Sequence, residues 1–276
     1  MSSITYCLNT STIAPQSVPE KIRLAAEAGF GAIELWLRDV VAYARDSAGN
    51  VDSGKVADVA KRVKDHGLFV PNVIAMFGWG NASAEELPAA LEQCRRQMEM
   101  AVQLGSKYIV ATPPIYEGDE ALIAERYREL LRIGKQVGIR PTMEYLGFCR
   151  SIYRVDQAWK IVEAANDPAA TLVLDSFHTY RGGSSIDDVE RLPIERVAHF
   201  HIDDAPRYVQ REQQKDPDRV MLGEGVIDLR REMNWLKCQG YRGAVSLELF
   251  NPTLWEQDPR RVLSVGIERM RGLIEN

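Results

Sequence analysis

The chain has 276 residues, of which 45% are hydrophobic and 26% are charged. This composition is that of an ordinary globular protein and excludes a fibrous, low-complexity or disordered chain. The net charge of −5 and the isoelectric point near 5.6 provide no general attraction to nucleic-acid phosphates or anionic lipids. We therefore expect neither a nucleic-acid partner nor a membrane partner.

The four cysteines are widely separated and form no C-x-x-C pair: Cys7, Cys94, Cys149 and Cys238. This spacing favours reduced thiols over a disulfide framework. The opening residues, MSSITYCLNT, lack a basic segment followed by an apolar run, and no stretch approaches the roughly 18 apolar residues of a membrane span. We expect a soluble, cytoplasmic protein.

Eight short apolar runs alternate with amphipathic stretches along the chain. The runs are ITYCLN (4–9), AIELW (32–36), FVPNVI (69–74), YIVA (108–111), RPTME (140–144), TLVLD (171–175), VAHFHI (197–202) and AVSLEL (244–249). This alternation is typical of βαβ units in a parallel sheet, and the starts lie about 35 residues apart, near the minimum for a strand plus a crossover helix. No linker divides the chain. We predict one TIM (β/α)₈ barrel as a single domain over residues 1–276.

Several short patterns mark the ends of the predicted helices. Ser83–Glu86 (SAEE) has the spacing of a capping box at a helix start. Gly29, Gly67 and Gly138 stand where a helix would end just before the next strand. His66 precedes one of these glycines, and we interpret it as a residue of the helix C-terminus rather than a ligand.

The segment from Asp203 to Gly225 departs from the regular spacing because it is polar and has neither a helical nor a strand period. Loops of this length in a compact domain are usually functional or disordered. After the seventh strand of a barrel, the segment would lie over the face on which active sites are built. We expect it to act as a lid that orders or closes when substrate binds.

Four consecutive predicted strands end in an acid or a histidine: Glu144, Asp175, His201 and Glu248. In a (β/α)₈ barrel the C-terminal ends of the strands converge on one mouth, so these side chains become neighbours. Carboxylates buried together repel unless a cation lies between them. Any one of the four could be a solvent-facing residue at a strand end. Together they predict a metal site that suits Mn²⁺, Mg²⁺, Co²⁺ or Zn²⁺.

Period-two alternation places a second set of side chains one layer deeper in the barrel: Thr142, Val173, His199 and Ser246. A histidine in this layer lies below the predicted ligands. We interpret His199 as a supporting or core histidine rather than a fifth ligand.

Several longer motifs link the chain to a known family. They are CLNTSTI (7–13), MEYLG (143–147), LVLDSFH (172–178), HIDD (201–204), DRVMLGEGVIDL (218–229) and VSLELFNP (245–252). They resemble the xylose-isomerase-like barrel family of sugar-phosphate isomerases and epimerases, and within it they are most similar to the inosose isomerases (2-keto-myo-inositol isomerases). The resemblance extends over nearly the whole chain.

The resemblance implies one divalent metal ion, with Mn²⁺ as the first candidate, bound by Glu144, Asp175, His201 and Glu248. It further implies that Glu144 and Glu248 form the acid–base pair, and that His178 and Arg207 position the substrate. The chain departs from the inosose isomerases at two places. One is Glu224, where those enzymes have a neutral residue, and the other is the Gly-Gly pair after Arg181. These departures leave the exact substrate open.

These features favour a metal-dependent isomerase or epimerase that acts on a polyhydroxy ketone, an inosose or a ketose, through an enediolate. The expected partner is a small sugar or cyclitol, and the sequence is compatible with a homo-oligomer. A dehydratase or lyase could use the same metal site, because an enediolate can expel a β-hydroxyl. A non-catalytic sugar-binding protein is a further alternative. An endonuclease with a metal cluster is disfavoured because the chain has four histidines and an acidic balance.

Overall fold

Eight strands form a closed parallel barrel in sequence order in the computed structural model, which describes residues 4–275. The strands are β1 (Thr5–Asn9), β2 (Ala32–Trp36), β3 (Asn72–Met76), β4 (Tyr108–Ala111), β5 (Arg140–Met143), β6 (Thr171–Asp175), β7 (Val197–Ile202) and β8 (Ala244–Leu247). Strand β1 pairs with both β2 and β8, which closes the barrel. The predicted TIM barrel is confirmed.

Helices surround the barrel, and the longer ones pack their apolar faces on its outer surface. They are α1 (Val18–Ala28), α2 (Leu37–Ala44), α3 (Ser53–Asp65), α4 (Leu87–Gln103), α5 (Glu120–Val137), α6 (Val155–Ala165), α7 (Ser176–Arg181), α8 (Ile186–Glu190), α9 (Leu229–Cys238), α10 (Pro252–Trp255) and α11 (Pro259–Ile274). Within residues 4–275, none of them combines the length and apolar character that a bilayer crossing needs.

The predicted strand bounds agree with the structure except at four strands. Strand β1 begins at Thr5 instead of residue 4. Four runs coincide with β2, β4, β6 and β7. The third strand begins at Asn72 instead of residue 69, because Pro71 has no N–H to donate and Phe69 makes only an isolated bridge to Ala32. Strands β5 and β8 end before Glu144 and Glu248. These two acids therefore lie just beyond the strands, on the loops at the barrel mouth.

The predicted helix ends are confirmed where glycines follow the helices. Gly29 and Gly138 both have φ of 90°, and Gly67 has φ of 73°, a left-handed conformation that glycine adopts without steric penalty. His66 ends its helix, and its Nδ1 lies 2.9 Å from the carbonyl oxygen of Arg62. His66 is therefore a helix-terminal residue and does not reach the barrel mouth.

The predicted capping box forms, although the helix begins one residue after it. The Glu86 amide donates to Ser83 Oγ at 3.2 Å, and the Ser83 amide donates to Glu86 Oε2 at 2.9 Å. Helix α4 begins at Leu87. The two hydrogen bonds thus fix the turn that leads into the helix.

Close backbone packing beside α7 provides a test of the fold. A Cβ atom at Gly182 would collide with the carbonyl oxygen of Tyr153, a backbone atom that cannot rotate away. We expect Gly182→Ala to lower the free energy of unfolding by about 1–3 kcal/mol, the usual cost of overpacking. Urea denaturation measures this loss. A Cβ at Gly272 meets nothing within 4 Å, so Gly272→Ala is the matched control, and equal stabilities in the two variants would contradict the packing.

Candidate functional site

Three of the four predicted metal ligands converge at the mouth of the barrel. One ligand atom from each of Asp175, His201 and Glu248 lies within 4.8 Å of the other two. His201 Nδ1 is 3.2 Å from Glu248 Oε2 and 3.7 Å from Asp175 Oδ2. None of the three residues is more than 3% exposed. The ends of β6, β7 and β8 therefore build one buried centre.

Glu144 borders the same centre without joining that set of three. Its Oε2 accepts a hydrogen bond from Thr112 Oγ1 at 3.0 Å. Burial, together with the nearby charges of Glu248 and Asp175, raises the pKa of Glu144 to about 8, although the charge of His201 opposes the shift. Strand β5 lies three positions from β8 around the barrel. Glu144 and Glu248 therefore approach the centre from different sides.

One ring nitrogen of His201 faces the centre and has no hydrogen-bond partner. Its Nε2 lies 3.0 Å from Glu34 Oε1, whereas its Nδ1 is buried and has no hydrogen-bond partner. A buried polar atom without a partner is rare in proteins and calls for an explanation such as a bound ion. Oxygen atoms of carboxylates together with one imidazole nitrogen are ligands that Mn²⁺, Zn²⁺ and similar ions accept. The donor set fits a divalent cation.

Arg219 is a buried cation of the centre that sequence reasoning missed. It is 1% exposed. Its Nη1 donates to Asp175 Oδ2 at 3.1 Å and to Glu248 Oε2 at 3.0 Å, and it also donates to Asp203. Its guanidinium carbon lies 4.9 Å from the ring centroid of Phe177. Arg219 thus neutralises part of the negative charge that the strand ends bring together.

The pKa values reflect this crowding of acids. Burial alone would disfavour the ionised form of Asp175, but Arg219, His178 and His201 hold its pKa well below the usual range. Burial raises the pKa of Glu248 to about 7, although His201 and Arg219 oppose the shift. The centre therefore contains more carboxyl groups than its own cations can fully stabilise.

The segment from Asp203 to Gly225 is folded across the mouth. The Asp204 carboxylate accepts hydrogen bonds from the amides of Gly223, Gly225 and Ile227, each at 3.0 Å. Two short 3₁₀ turns lie within the segment, Arg211–Gln213 and Asp216–Asp218. The segment therefore has a defined structure that carries Arg219 into the centre. Its closure on substrate binding stays a prediction.

The two predicted substrate-positioning residues are placed differently. His178 is 2% exposed, and its Nε2 lies 3.1 Å from an Arg219 nitrogen. Burial lowers the pKa of His178 to about 4, so this imidazole is neutral near pH 7. Arg207, in contrast, is exposed on the segment from Asp203 to Gly225 and is not brought to the centre. Its role stays a prediction.

A second buried acid, Glu34, lies beneath the centre and was also missed. It accepts hydrogen bonds from Asn9 and Asn72, each at 2.7 Å, and from Ser246 at 2.9 Å. His199 Nε2 lies 3.4 Å from Glu34 Oε1, which fits the interpretation of His199 as a buried histidine below the ligands. The sequence indicates this acid in one way: Glu34 is the single charged residue inside the apolar run AIELW.

Removal of Arg219 tests its part in the centre. Arg219→Met leaves Asp175 and Glu248 without their nearby cation, and we expect the metal-free variant to lose about 3–5 kcal/mol of unfolding free energy, the usual cost of an uncompensated buried charge. Urea denaturation with a chelator at neutral pH measures it. Arg207→Met is the matched control, and an exposed site should change stability by no more than about 0.5 kcal/mol. Equal losses would contradict the assignment.

Two curated proteins match much of the chain. An inosose isomerase from Bacillus velezensis is 26% identical over 277 residues, which cover 97% of this chain and 96% of that protein. A 3-dehydroshikimate dehydratase from Pseudomonas aeruginosa is 28% identical over 239 residues, which cover 85% of this chain but 36% of the dehydratase. The chain thus spans about a third of the second protein.

A solved structure has the same fold. The crystal structure of an IolI protein with a bound zinc atom superposes with a TM-score of 0.87 at 24% sequence identity and covers 99% of this chain and 98% of that one. A sequence model of the family described as xylose isomerase-like TIM barrel matches residues 22–273. The chain belongs to this xylose isomerase-like TIM barrel family.

Proposed function

We propose that this protein is a divalent-metal-dependent isomerase or epimerase of a neutral polyhydroxy ketone, an inosose or a ketose. The observation that carries the proposal is the unpartnered Nδ1 of His201, which faces the carboxylates of Asp175 and Glu248. Similarity to an inosose isomerase over nearly the full length of both chains supports the reaction class. Mn²⁺ is the first candidate ion, and the zinc atom of the IolI structure supports Zn²⁺ as the alternative.

Asp175, His201, Glu248 and Glu144 would hold the ion. When bound, a divalent cation polarises a ketone and its neighbouring hydroxyl and stabilises the negative charge of an enediolate. The same cation offsets the repulsion among the acids that line the centre.

Glu144 and Glu248 would move the proton. Burial raises the pKa values of both carboxyl groups, to about 8 and about 7, and the charge of a bound cation would lower them, so that each carboxylate could accept a proton and return it. They directly follow β5 and β8, which are three strands apart around the barrel. Because an isomerase or epimerase removes and returns the proton at different atoms or faces, two carboxylates on different sides suit the reaction.

The charges at the mouth favour a substrate without an anionic group. Within residues 4–275, Arg219 is the one fully buried arginine or lysine at the mouth, and it is already paired with Asp175, Asp203, Asp216 and Glu248. It therefore has little free charge for a phosphate or carboxylate. His178 Nδ1 is buried without a partner and is available to a substrate hydroxyl.

A dehydratase is the second candidate, supported by the similarity to a 3-dehydroshikimate dehydratase. The same proton abstraction would then be followed by loss of a β-hydroxyl. Product mass separates the two reactions, because an isomer keeps the mass of the substrate and a dehydration product loses water. The intact set of acids and histidine argues against a non-catalytic sugar-binding protein.

Metal removal tests whether the centre works as proposed. We expect chelation to abolish turnover of inososes or ketoses and to lower the melting temperature, because an ion that binds only the native state stabilises it by mass action. Added Mn²⁺ should restore both. Unchanged turnover in a sample that elemental analysis finds free of metal would contradict the proposal.

Substitution of the two glutamates tests the acid–base pair. Glu144→Gln and Glu248→Gln each keep the side-chain shape but remove its basicity, so we expect turnover to fall by about 10²–10⁴-fold while metal binding weakens only in part. Steady-state kinetics with verified metal occupancy measures the loss. Glu232→Gln is the matched control, because Glu232 is also buried but accepts a hydrogen bond from Ser176 Oγ and is not one of the proposed ligands.

Solvent deuterium uptake identifies which glutamate acts first. A Gln variant that still exchanges a substrate C–H with solvent, but forms no product, retains the residue that removes the first proton. If either variant keeps turnover within about threefold of the parent with metal bound, the pair is wrongly assigned, since acid–base groups contribute far more.

A further inference from the structure

Glu34 is a fully buried carboxylate for which the proposed reaction provides no role. It lies on β2, whereas His201 lies on β7, and these strands are not neighbours in the barrel. The contact between them, 3.0 Å from Glu34 Oε1 to His201 Nε2, therefore crosses the barrel interior. The acid reaches the far side of the imidazole ring from the candidate metal centre.

Both oxygens of Glu34 are held by hydrogen-bond donors. Oε1 accepts from Asn72 Nδ2 at 2.7 Å, and Oε2 accepts from Asn9 Nδ2 at 2.7 Å and from Ser246 Oγ at 2.9 Å. A carboxylate with this many donors is fixed in orientation, because each partner comes from a different strand. Glu34 is thus a rigid acceptor for His201.

This contact determines which nitrogen of His201 is free. A carboxylate only accepts hydrogen bonds, so the Nε2 that faces Glu34 must bear the proton. In a neutral imidazole the other nitrogen then has a lone pair, and this nitrogen is the Nδ1 that faces Asp175 and Glu248. A carboxylate that binds the outer N–H of a metal-ligating histidine fixes its tautomer and ring orientation.

Asn9 links Glu34 to Glu248 through hydrogen bonds. Its Nδ2 donates to Glu34 Oε2 and to Glu248 Oε1, both at 2.7 Å. Its Oδ1 accepts from Trp36 Nε1 at 3.0 Å and from the Ser11 amide at 2.9 Å, which fixes the orientation of the amide. Glu248 Oε1 is therefore occupied, and Oε2 is the oxygen that faces the centre.

We propose that Glu34 is a positioning residue of the metal centre: it keeps the proton of His201 on Nε2 and so presents Nδ1 to a divalent cation. Through Asn9 it also sets which oxygen of Glu248 faces that cation. The proposal rests on the metal dependence proposed above. It assigns Glu34 no contact with substrate.

A second ion bound by Glu34, His199 and His201 is the competing explanation, because one ligand atom from each lies within 4.8 Å of the others. The donors on both oxygens of Glu34 favour a hydrogen-bonded carboxylate instead. The number of ions per chain separates the two arrangements. Glu34 as a positioning residue requires one ion, whereas the competing site adds a second.

The parent protein provides the first test. It is labelled with ¹⁵N-histidine and loaded with Zn²⁺, and its four histidines give a simple spectrum in which the shift of each ring nitrogen reports a proton or a bound metal. We expect His201 to carry its proton on Nε2 and to bind zinc through Nδ1. Coordination through Nε2, or two zinc ions per chain, would overturn the proposal.

Glu34→Gln provides the second test, with the dissociation constant for Mn²⁺ as the readout. The amide keeps the shape but no longer requires a donor from His201, so we expect the dissociation constant to rise about 10- to 100-fold, the usual effect of losing such a partner. Glu232→Gln is the matched control. It makes the same change at a buried carboxyl group that accepts its hydrogen bond from Ser176 Oγ rather than from His201, so its dissociation constant should stay close to that of the parent.

The outcomes distinguish this inference from the proposed function. If a folded Glu34→Gln variant binds Mn²⁺ as tightly as the parent does, the positioning role of Glu34 alone is overturned. A parent that binds no divalent cation overturns the proposed function and this inference together. If Glu34→Gln does not fold, the nitrogen that binds zinc in the parent still decides the matter.

Discussion

Repulsion among buried carboxylates governs the mouth of this barrel. The barrel brings Asp175 and Glu248 together and places Glu144 at the border of the same centre, and burial opposes the ionisation of all three. Acids in this situation need a cation or must take up protons. Arg219 provides part of the positive charge. The remaining imbalance is the physical basis for a divalent ion at this position.

The excess of negative charge also links the segment from Asp203 to Gly225 to the centre. Arg219 Nη1 donates to Asp175 Oδ2 and Glu248 Oε2, the two oxygens that also face His201 Nδ1. A guanidinium and a metal ion would therefore compete for the same oxygens. Because Arg219 belongs to the segment between residues 203 and 225, a change in the charge of the centre also acts on this segment.

Much of the architecture is readable from the sequence, because apolar runs that alternate with amphipathic stretches specify a parallel barrel. The acids at the strand ends follow from the same topology. The predicted start of the third strand is wrong because Pro71 interrupts the run over residues 69–74. Glu34 and Arg219 were missed because their contacts cross the barrel or come from a loop. Spacing after His201 alone cannot tell which arginine of the lid turns inward, and the structure buries Arg219 and leaves Arg207 exposed.

An anomalous difference map from crystals grown with Mn²⁺ tests the central claim most directly, because it locates the ion without reference to turnover. The account predicts one peak bounded by His201 Nδ1, Asp175, Glu248 and Glu144. A map with no peak at the barrel mouth, or with its peak between Glu34 and His199, would contradict it.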